Sequence, residues 1–197
     1  DNIEQGYQFG ELAYKLVEKM DLKYLKSKIF QIHGGMISYF KKSIHDDLDY
    51  LLQGTYNGYQ TGDFEFAGYT ILHYMNNYFF CGKPLDATEN EALKYYPTIT
   101  KYQQTNSLQA YQLIYQTIVN LQSDSIDQIQ LNGNIFHRDE VLPIWLKVNN
   151  KSNLSSYHIC QAILLYFSQN YKESINHFEE NRPHLDGIMG MFFVPIY

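Results

Sequence analysis

Hydrophobic residues recur along most of this chain at intervals of three and four positions, the spacing that places side chains on one face of an α-helix. No segment alternates apolar and polar residues for long enough to predict a β-strand. The pattern therefore predicts an all-α protein of about eight helices, each burying its apolar stripe. The clearest stripes are Phe9, Leu12, Ala13, Leu16, Val17 and Met20; Phe64, Ala67, Ile71, Tyr74, Met75, Tyr78 and Phe79; Leu108, Tyr111, Ile114, Tyr115, Ile118 and Val119; and Leu154, Tyr157, Ala162, Ile163, Tyr166 and Phe167.

Local signals predict where these helices stop. Thr61-Gly62-Asp63 supplies a helix breaker followed by an N-cap residue. Pro97 and Pro143 lie inside apolar stripes, and we expect each to kink or end its helix because proline lacks a backbone N–H. Residues 122–135 are polar and weakly patterned, so we expect a loop there. Gly34-Gly35 falls inside a helical pattern and indicates either a close approach of two helices or a notch that faces a ligand.

Two segments carry the aromatic and small residues of a tetratricopeptide (TPR) helix pair. Tyr171-x-x-Ser174-x-x-x-Phe178 has the aromatic–small–aromatic spacing, and Gly62-Asp63-Phe64-x-x-Ala67 shows the same local pattern. Their separation is not a multiple of the TPR period, and the sequence offers no clean third copy. We therefore predict one helical-repeat domain over residues 1–197, an irregular TPR-like superhelix of stacked antiparallel helical hairpins.

Composition narrows the class of protein. With 45% hydrophobic and 18% charged residues, the chain can bury a core, and its net charge of −6 argues against binding to a nucleic-acid backbone. We find neither a signal peptide nor an apolar run long enough for a membrane span, and the two cysteines fit a reducing compartment. We expect a cytoplasmic protein with no membrane partner. Because the chain starts at Asp1 and ends within an apolar run, we also expect it to be a fragment of a longer multidomain chain.

Aromatic residues are unusually abundant, with 19 tyrosines and 12 phenylalanines but one tryptophan. In a stacked-hairpin solenoid, rings at helical spacing can line a groove that holds a peptide, a neighbouring domain or a small ligand such as a sugar. The alternatives are that most of these rings pack between helices, or that biased base composition produced the excess. The candidate groove residues are Tyr69, Tyr74, Tyr78, Tyr111 and Tyr115.

The sequence lacks recognisable motifs for catalysis, phosphate binding or metal binding. It contains no phosphate-binding glycine loop and no protein-kinase signature. His45-Asp46-Asp47 points successive side chains in different directions, so the three cannot share one ion. His177 and His184 flank Glu179-Glu180 without a third convergent ligand, and Cys81 and Cys160 fit core thiols. We therefore predict no catalytic residue, no metal site and no cofactor.

Three segments, in order, carry a resemblance: Thr61-Gly62-Asp63-Phe64-Glu65-Phe66-Ala67-Gly68-Tyr69, Phe79-Phe80-Cys81-Gly82-Lys83-Pro84-Leu85, and His184-Leu185-Asp186-Gly187-Ile188-Met189-Gly190-Met191-Phe192-Phe193-Val194-Pro195. The set resembles the helical-repeat region of large bacterial multi-sensor hybrid serine/threonine and histidine kinases, found especially in cyanobacteria. In that family, the helical region follows a protein kinase domain and a STAND-type ATPase domain, and precedes a GAF sensor and a histidine kinase.

The resemblance implies a non-enzymatic scaffold that contacts neighbouring domains or other signalling proteins, with the chemistry elsewhere in the parent kinase. A second hypothesis is a small-molecule sensor whose aromatic groove regulates the adjacent ATPase or kinase. A third is a small all-α enzyme whose site assembles only in the folded chain.

Overall fold

The computed structural model describes residues 2–123 and 129–191, and the regular elements in these ranges are helices without any strand. The all-α prediction is thus confirmed for the described residues. The α-helices are α1 (Ile3–Lys19), α2 (Lys23–Ile32), α3 (Leu48–Thr61), α4 (Phe64–Phe80), α5 (Leu85–Tyr102), α6 (Thr105–Gln122), α7 (Arg138–Lys147), α8 (Lys151–Phe167) and α9 (Tyr171–Asn181). A π-helix follows at His33–Ile37, and 3-10 helices lie at Ser38–Phe40, Ile44–Asp47 and Arg182–Ile188.

The described chain divides into two compact units. The N-terminal unit comprises residues 2–83, 93–108 and 190–191, and the C-terminal unit comprises residues 84–92, 109–123 and 129–189. The apolar segment at residues 192–197 and the middle of the expected loop, residues 124–128, lie outside the described residues.

Helix ends follow the sequence signals in part. Gly62 ends α3 in the left-handed conformation, with φ of 80°, as expected of a glycine at this position. Asp63 stands at the N-cap position of α4, but its side chain makes no capping hydrogen bond. The side chains of Asn2 and Asn150 do cap α1 and α8, each accepting a bond from the backbone N–H three residues on.

Neither proline ends its helix, so that part of the expectation is wrong. Pro97 lies inside α5 and Pro143 inside α7. Both prolines are exposed, as are Leu93 and Asp139, the residues four positions earlier. A carbonyl that loses its helical partner on the solvent side bonds water instead, so the helix continues past the ring.

Small residues bring the helices of the N-terminal unit close together. Helix α3 packs against α2 and α4, and α2 also contacts α4. A Cβ on Gly54 would stand 2.8 Å from Phe30 Cβ, and one on Gly58 would stand 2.8 Å from Ala67 Cβ. The Gly34-Gly35 pair acts in the same way, because added Cβ atoms there would meet Tyr50 at 2.9 Å and His73 at 2.7 Å. The close-approach interpretation of that pair is therefore confirmed.

Helix α8 forms the core of the C-terminal unit. It packs against α7, α9 and the 3-10 helix Arg182–Ile188, and ten of its residues are buried. The Ser174 hydroxyl donates to the Ala162 carbonyl over 2.9 Å, so the small residue of the TPR-like spacing does allow α9 to approach α8 closely. Tyr166 and Phe167, at the end of the predicted stripe, are exposed.

The predicted buried face of α1 is instead mostly exposed. Of the stripe residues, Val17 is buried at 3% exposure, whereas Phe9 is 63% exposed and Met20 61%. Leu12 and Leu16 are also exposed. The burial expected for this stripe is wrong, because the side that α1 turns inward carries Gly10 and Val17.

Candidate functional site

The five candidate tyrosines lie partly in the interior of their own units. On α4, Tyr74 is buried and its ring contacts those of Tyr78 and Tyr95, whereas Tyr69 and Tyr78 are half-buried. Tyr74 and Tyr78 also border a cavity of about 410 Å³. On α6, Tyr111 and Tyr115 are buried, and the Tyr111 hydroxyl donates to the Ala92 carbonyl over 2.8 Å. Buried rings of this kind support the packing interpretation.

A second polar cavity, also of about 410 Å³, adjoins that one and shares Asp46 and Asp49 with it, and the sequence analysis missed it. Its lining is rich in carboxylates, with one lysine, and two tyrosine rings form part of its wall. We call it the acidic pocket. Its lining residues are Glu11, Tyr14, His33, Lys42, Asp46, Asp47, Asp49, Tyr50 and Gln53.

Glu11 of α1 is the hydrogen-bonding centre of the acidic pocket. Its Oε1 accepts bonds from Lys42 Nζ at 2.8 Å, His33 Nε2 at 2.9 Å and the Tyr7 hydroxyl at 3.2 Å. The bond with Lys42 is the main cause that lowers the pKa of Glu11, and Glu11 in turn raises the pKa of Lys42. Lys42, the lysine of the pocket wall as far as the structure describes it, is therefore already paired.

His33, on the π-helix, is held in one tautomer. Because its Nε2 donates to the Glu11 carboxylate, Nδ1 carries no proton in the neutral ring, and this buried atom has no hydrogen-bond partner. Burial lowers the pKa of His33, although Glu11 opposes the shift. The ring fits here because Gly10 of α1 leaves room for it: a Cβ at Gly10 would lie 2.6 Å from Nδ1.

Asp47 is the most unusual acid of the pocket. It is 5% exposed, and its Oδ2 has no hydrogen-bond partner. Burial raises the pKa of Asp47 to about 6, against the opposing effects of the nearby Ser38 hydroxyl and of Lys42. The Ser38 hydroxyl itself completes no hydrogen bond. A buried carboxyl with a free oxygen favours a positively charged ligand group at neutral pH.

Aromatic rings form the other wall of the acidic pocket. The Tyr50 ring stacks on Phe30 with centroids 4.0 Å apart, and Tyr14 meets Tyr50 edge-on at 5.0 Å. The buried Tyr50 hydroxyl has no hydrogen-bond partner, and burial raises its pKa. Ring faces beside carboxylates suit a small organic cation, which both groups attract.

A second surface feature is the exposed apolar face of α1. Phe9, Leu12, Leu16 and Met20 share one side of that helix, and we call them the α1 surface. Beside it lies a nearly apolar cavity of about 210 Å³ between α1, α2 and the π-helix. That cavity is lined by Gly6, Phe9, Gly10, Ala13, Ile29, Ile32, His33 and Ile37.

The candidate histidines and cysteines lie in different surroundings. His45 and Asp46 are exposed while Asp47 is buried, and in the described part of the chain these three do not form a group whose ligand atoms all lie within 4.8 Å of one another. Burial raises the pKa of Cys160 to about 11, which is typical of an inert core thiol. His177 and Glu180, however, meet His158 of α8, a third metal-capable group that the sequence analysis did not bring to them. These three groups meet because α8 packs against α9, and the sequence analysis did not include that packing.

In comparisons with known proteins, no protein-family model, curated protein or solved structure matches the chain. Within residues 2–123 and 129–191, none of the helices has both the length and the apolar character that crossing a membrane requires.

Proposed function

We propose that this chain is a non-catalytic helical-repeat scaffold that mediates interdomain or protein–protein contacts in a bacterial signal-transduction kinase. The proposal rests on one observation: at the α1 surface, four large apolar side chains share one solvent-facing side of the helix. Contiguous exposed apolar residues of this kind are typical of interaction sites. We assign a helix of a neighbouring domain as the partner, packed along α1 as repeats stack in a solenoid.

Three further points support this function. The all-helical fold, the packing of sequential helices and the close approach at Ser174 are compatible with an irregular TPR-like superhelix. The ordered segments that resemble the kinase family suggest the cytoplasmic signalling context. The buried thiol of Cys160 fits the packed core of such a scaffold.

The scaffold proposal is tested with the native protein in its source organism. An antibody raised against this chain should detect a polypeptide many times heavier than 23.2 kDa. A photo-crosslinking residue placed at Leu12 of that polypeptide should then capture another domain or protein. The matched control is Leu146 of α7, an equally exposed leucine (57% against 51%). A native band near 23.2 kDa, or equal capture from both positions, would overturn the proposal.

The acidic pocket favours a second function, that of a small-molecule sensor regulating an adjacent ATPase or kinase. Here the ligand is a small organic cation, attracted by the Asp47 carboxylate and by the rings of Tyr14 and Tyr50. This differs from the aromatic groove expected from the sequence, because the described lining of the acidic pocket, with Glu11, His33 and Asp47, includes none of the five candidate tyrosines.

Thermal unfolding with choline and spermidine tests the sensor function. A ligand that binds only the folded chain raises its Tm, and the rise grows with the logarithm of ligand concentration once that concentration exceeds the Kd. We expect Asp47→Asn to abolish the rise, whereas Asp86→Asn, an exposed carboxylate of α5, should leave it intact. An equal rise in both variants would place the cation outside the acidic pocket.

A further inference from the structure

Two imidazoles and one carboxylate converge where α8 meets α9. His158 projects from the middle of α8, while His177 and Glu180 stand one turn apart on α9. The Nδ1 atoms of the two histidines are 3.1 Å apart, and Glu180 Oε2 lies 3.7 Å from each of them. Of the described residues, these form the group of three whose ligand atoms all lie within 4.8 Å of one another.

The separations match the dimensions of a tetrahedral metal centre. Bonds of about 2.0–2.1 Å at tetrahedral angles place neighbouring ligand atoms about 3.3 Å apart. The observed 3.1 Å and 3.7 Å bracket this length. An ion in the plane of the three atoms would lie about 2.0 Å from each, so binding requires side-chain movements of only a few tenths of an ångström.

The surroundings leave the three ligand atoms available. Glu179, the neighbouring acid, pairs with Arg182 at 2.7 Å. Among the described residues, the ion-pair partners of Glu180 are the two histidines and no lysine or arginine. The Glu180 side chain is 64% exposed, which gives an ion access and leaves the side opposite α8 open to water.

The histidine environment favours neutral rings, the form that binds metals. Burial, assisted by the neighbouring His177 and His184, lowers the pKa of His158 to about 4. The His184 ring stacks on His158 with centroids 5.9 Å apart, and its Nδ1 is buried with no hydrogen-bond partner. The Nδ1 atoms of His158 and His177 are hydrogen-bonded to each other in the metal-free chain, so one of them carries a proton; a bound ion would replace that bond, with both rings then protonated on Nε2 and both Nδ1 lone pairs directed at the ion.

We propose that His158, His177 and Glu180 bind one divalent transition-metal ion, with Zn²⁺ as the best match to two imidazoles and one carboxylate. The fourth position is taken by water from the solvent side. Such an ion would join α8 to α9 and so stabilise the C-terminal unit, independently of the proposed contact at α1.

Zinc titration of the chelator-treated protein tests this proposal, with calorimetry as the readout. We expect binding of one Zn²⁺ per chain and a rise in Tm. His177→Ala and Glu180→Gln should each weaken binding at least about tenfold. The matched controls are Glu179→Gln on the same helix and His45→Ala in the N-terminal unit, and both should bind as the wild-type chain does.

Two outcomes would overturn the site. One is zinc affinity in the wild-type chain no greater than in His177→Ala. The other is equal loss of affinity in Glu179→Gln and Glu180→Gln. Because Glu180 is exposed, its variant should retain the wild-type circular dichroism spectrum, so that weakened binding is not due to unfolding.

Cobalt gives an independent readout of the same ligands. Co²⁺ bound in a tetrahedral site absorbs strongly in the visible range, unlike hydrated Co²⁺. We expect such a band in the wild-type chain and in Glu179→Gln, and its loss in His158→Gln. A band that persists in His158→Gln would place the metal elsewhere, for example at Cys81.

Discussion

Helices α1 and α8 have the same length, 17 residues, and both carry apolar stripes, yet they end up in opposite environments. Two residues of α1 are buried, Gly10 and Val17, against ten of α8. Helices α7 and α9 and the 3-10 helix Arg182–Ile188 pack against α8 and bury its stripe, whereas α1 turns its apolar side chains to solvent and packs with a glycine against His33. An apolar stripe in the sequence thus predicts that a helix forms, whereas the elements packed around that helix decide whether the stripe is buried.

The largest effect should come from truncating one leucine on each helix. Leu154→Ala in α8 should cost about 3 kcal/mol in the free energy of unfolding, because Leu154 is 1% exposed and its removal leaves a cavity. Leu12→Ala in α1 should change it by no more than about 0.5 kcal/mol. Urea unfolding followed by circular dichroism measures both. Equal losses of unfolding free energy in the two variants would mean that the apolar face of α1 is buried in solution, as that of α8 is.

Acid should next distinguish the interior of the N-terminal unit from its surface. Burial lowers the pKa of His73 to about 4, below the ordinary 6.5 that the ring regains on unfolding. The unfolded chain therefore binds the proton first, and stability falls as the pH drops. We expect a loss of roughly 2–3 kcal/mol between pH 7 and pH 4.5 from this ring.

The structural reason is visible around the ring. The Gln31 amide nitrogen donates to His73 Nε2 over 3.0 Å. Protonation of His73 Nε2 would leave two hydrogen-bond donors facing each other, which is unfavourable. His73→Gln should reduce the acid sensitivity, and His45→Gln, on an exposed histidine, should not. Urea midpoints at the two pH values measure the change, and an identical slope in both variants would contradict the assignment.

Asp47 should act in the opposite direction and somewhat more weakly. Its pKa of about 6 lies above the ordinary 3.8, so the folded chain binds the proton first and gains stability as the pH falls. The gain amounts to about 2 kcal/mol between pH 7 and pH 4.5. Asp47→Asn should remove it and make the chain more acid-sensitive, as urea unfolding would show. A variant no more sensitive than the wild type would indicate that Asp47 is solvated.

The smallest effects should come from two glycines of α1. Gly10→Ala places a methyl group 2.6 Å from the buried His33 ring and should destabilise the chain by about 1 kcal/mol, even after the gain in helix propensity. Gly6→Ala meets nothing within 4 Å and should stabilise it by about 0.5–1 kcal/mol. Thermal unfolding monitored by circular dichroism compares the two. Effects of the same sign would show that α1 does not pack against His33.

Several features of the site were beyond sequence reasoning for one physical reason. The acidic pocket joins Glu11 and His33 to the segment that carries Lys42, Asp47 and Tyr50, and nothing in the local spacing links the first two residues to that segment. The histidine group likewise depends on which turn of α8 faces α9. By contrast, the tyrosine spacing on α4 and α6 was readable, but spacing does not state which side a helix turns to its neighbours.

The sequence was enough to predict the helical character of the described residues and the break at Gly62, because both depend on local spacing and on the backbone freedom of glycine, whereas it left the role of Gly34 and Gly35 open. Only the tertiary structure decided that α1 exposes its apolar stripe, that Pro97 stays inside a helix, and that His158 meets His177. These outcomes depend on contacts between residues far apart in the chain, whose free energies a local pattern does not contain.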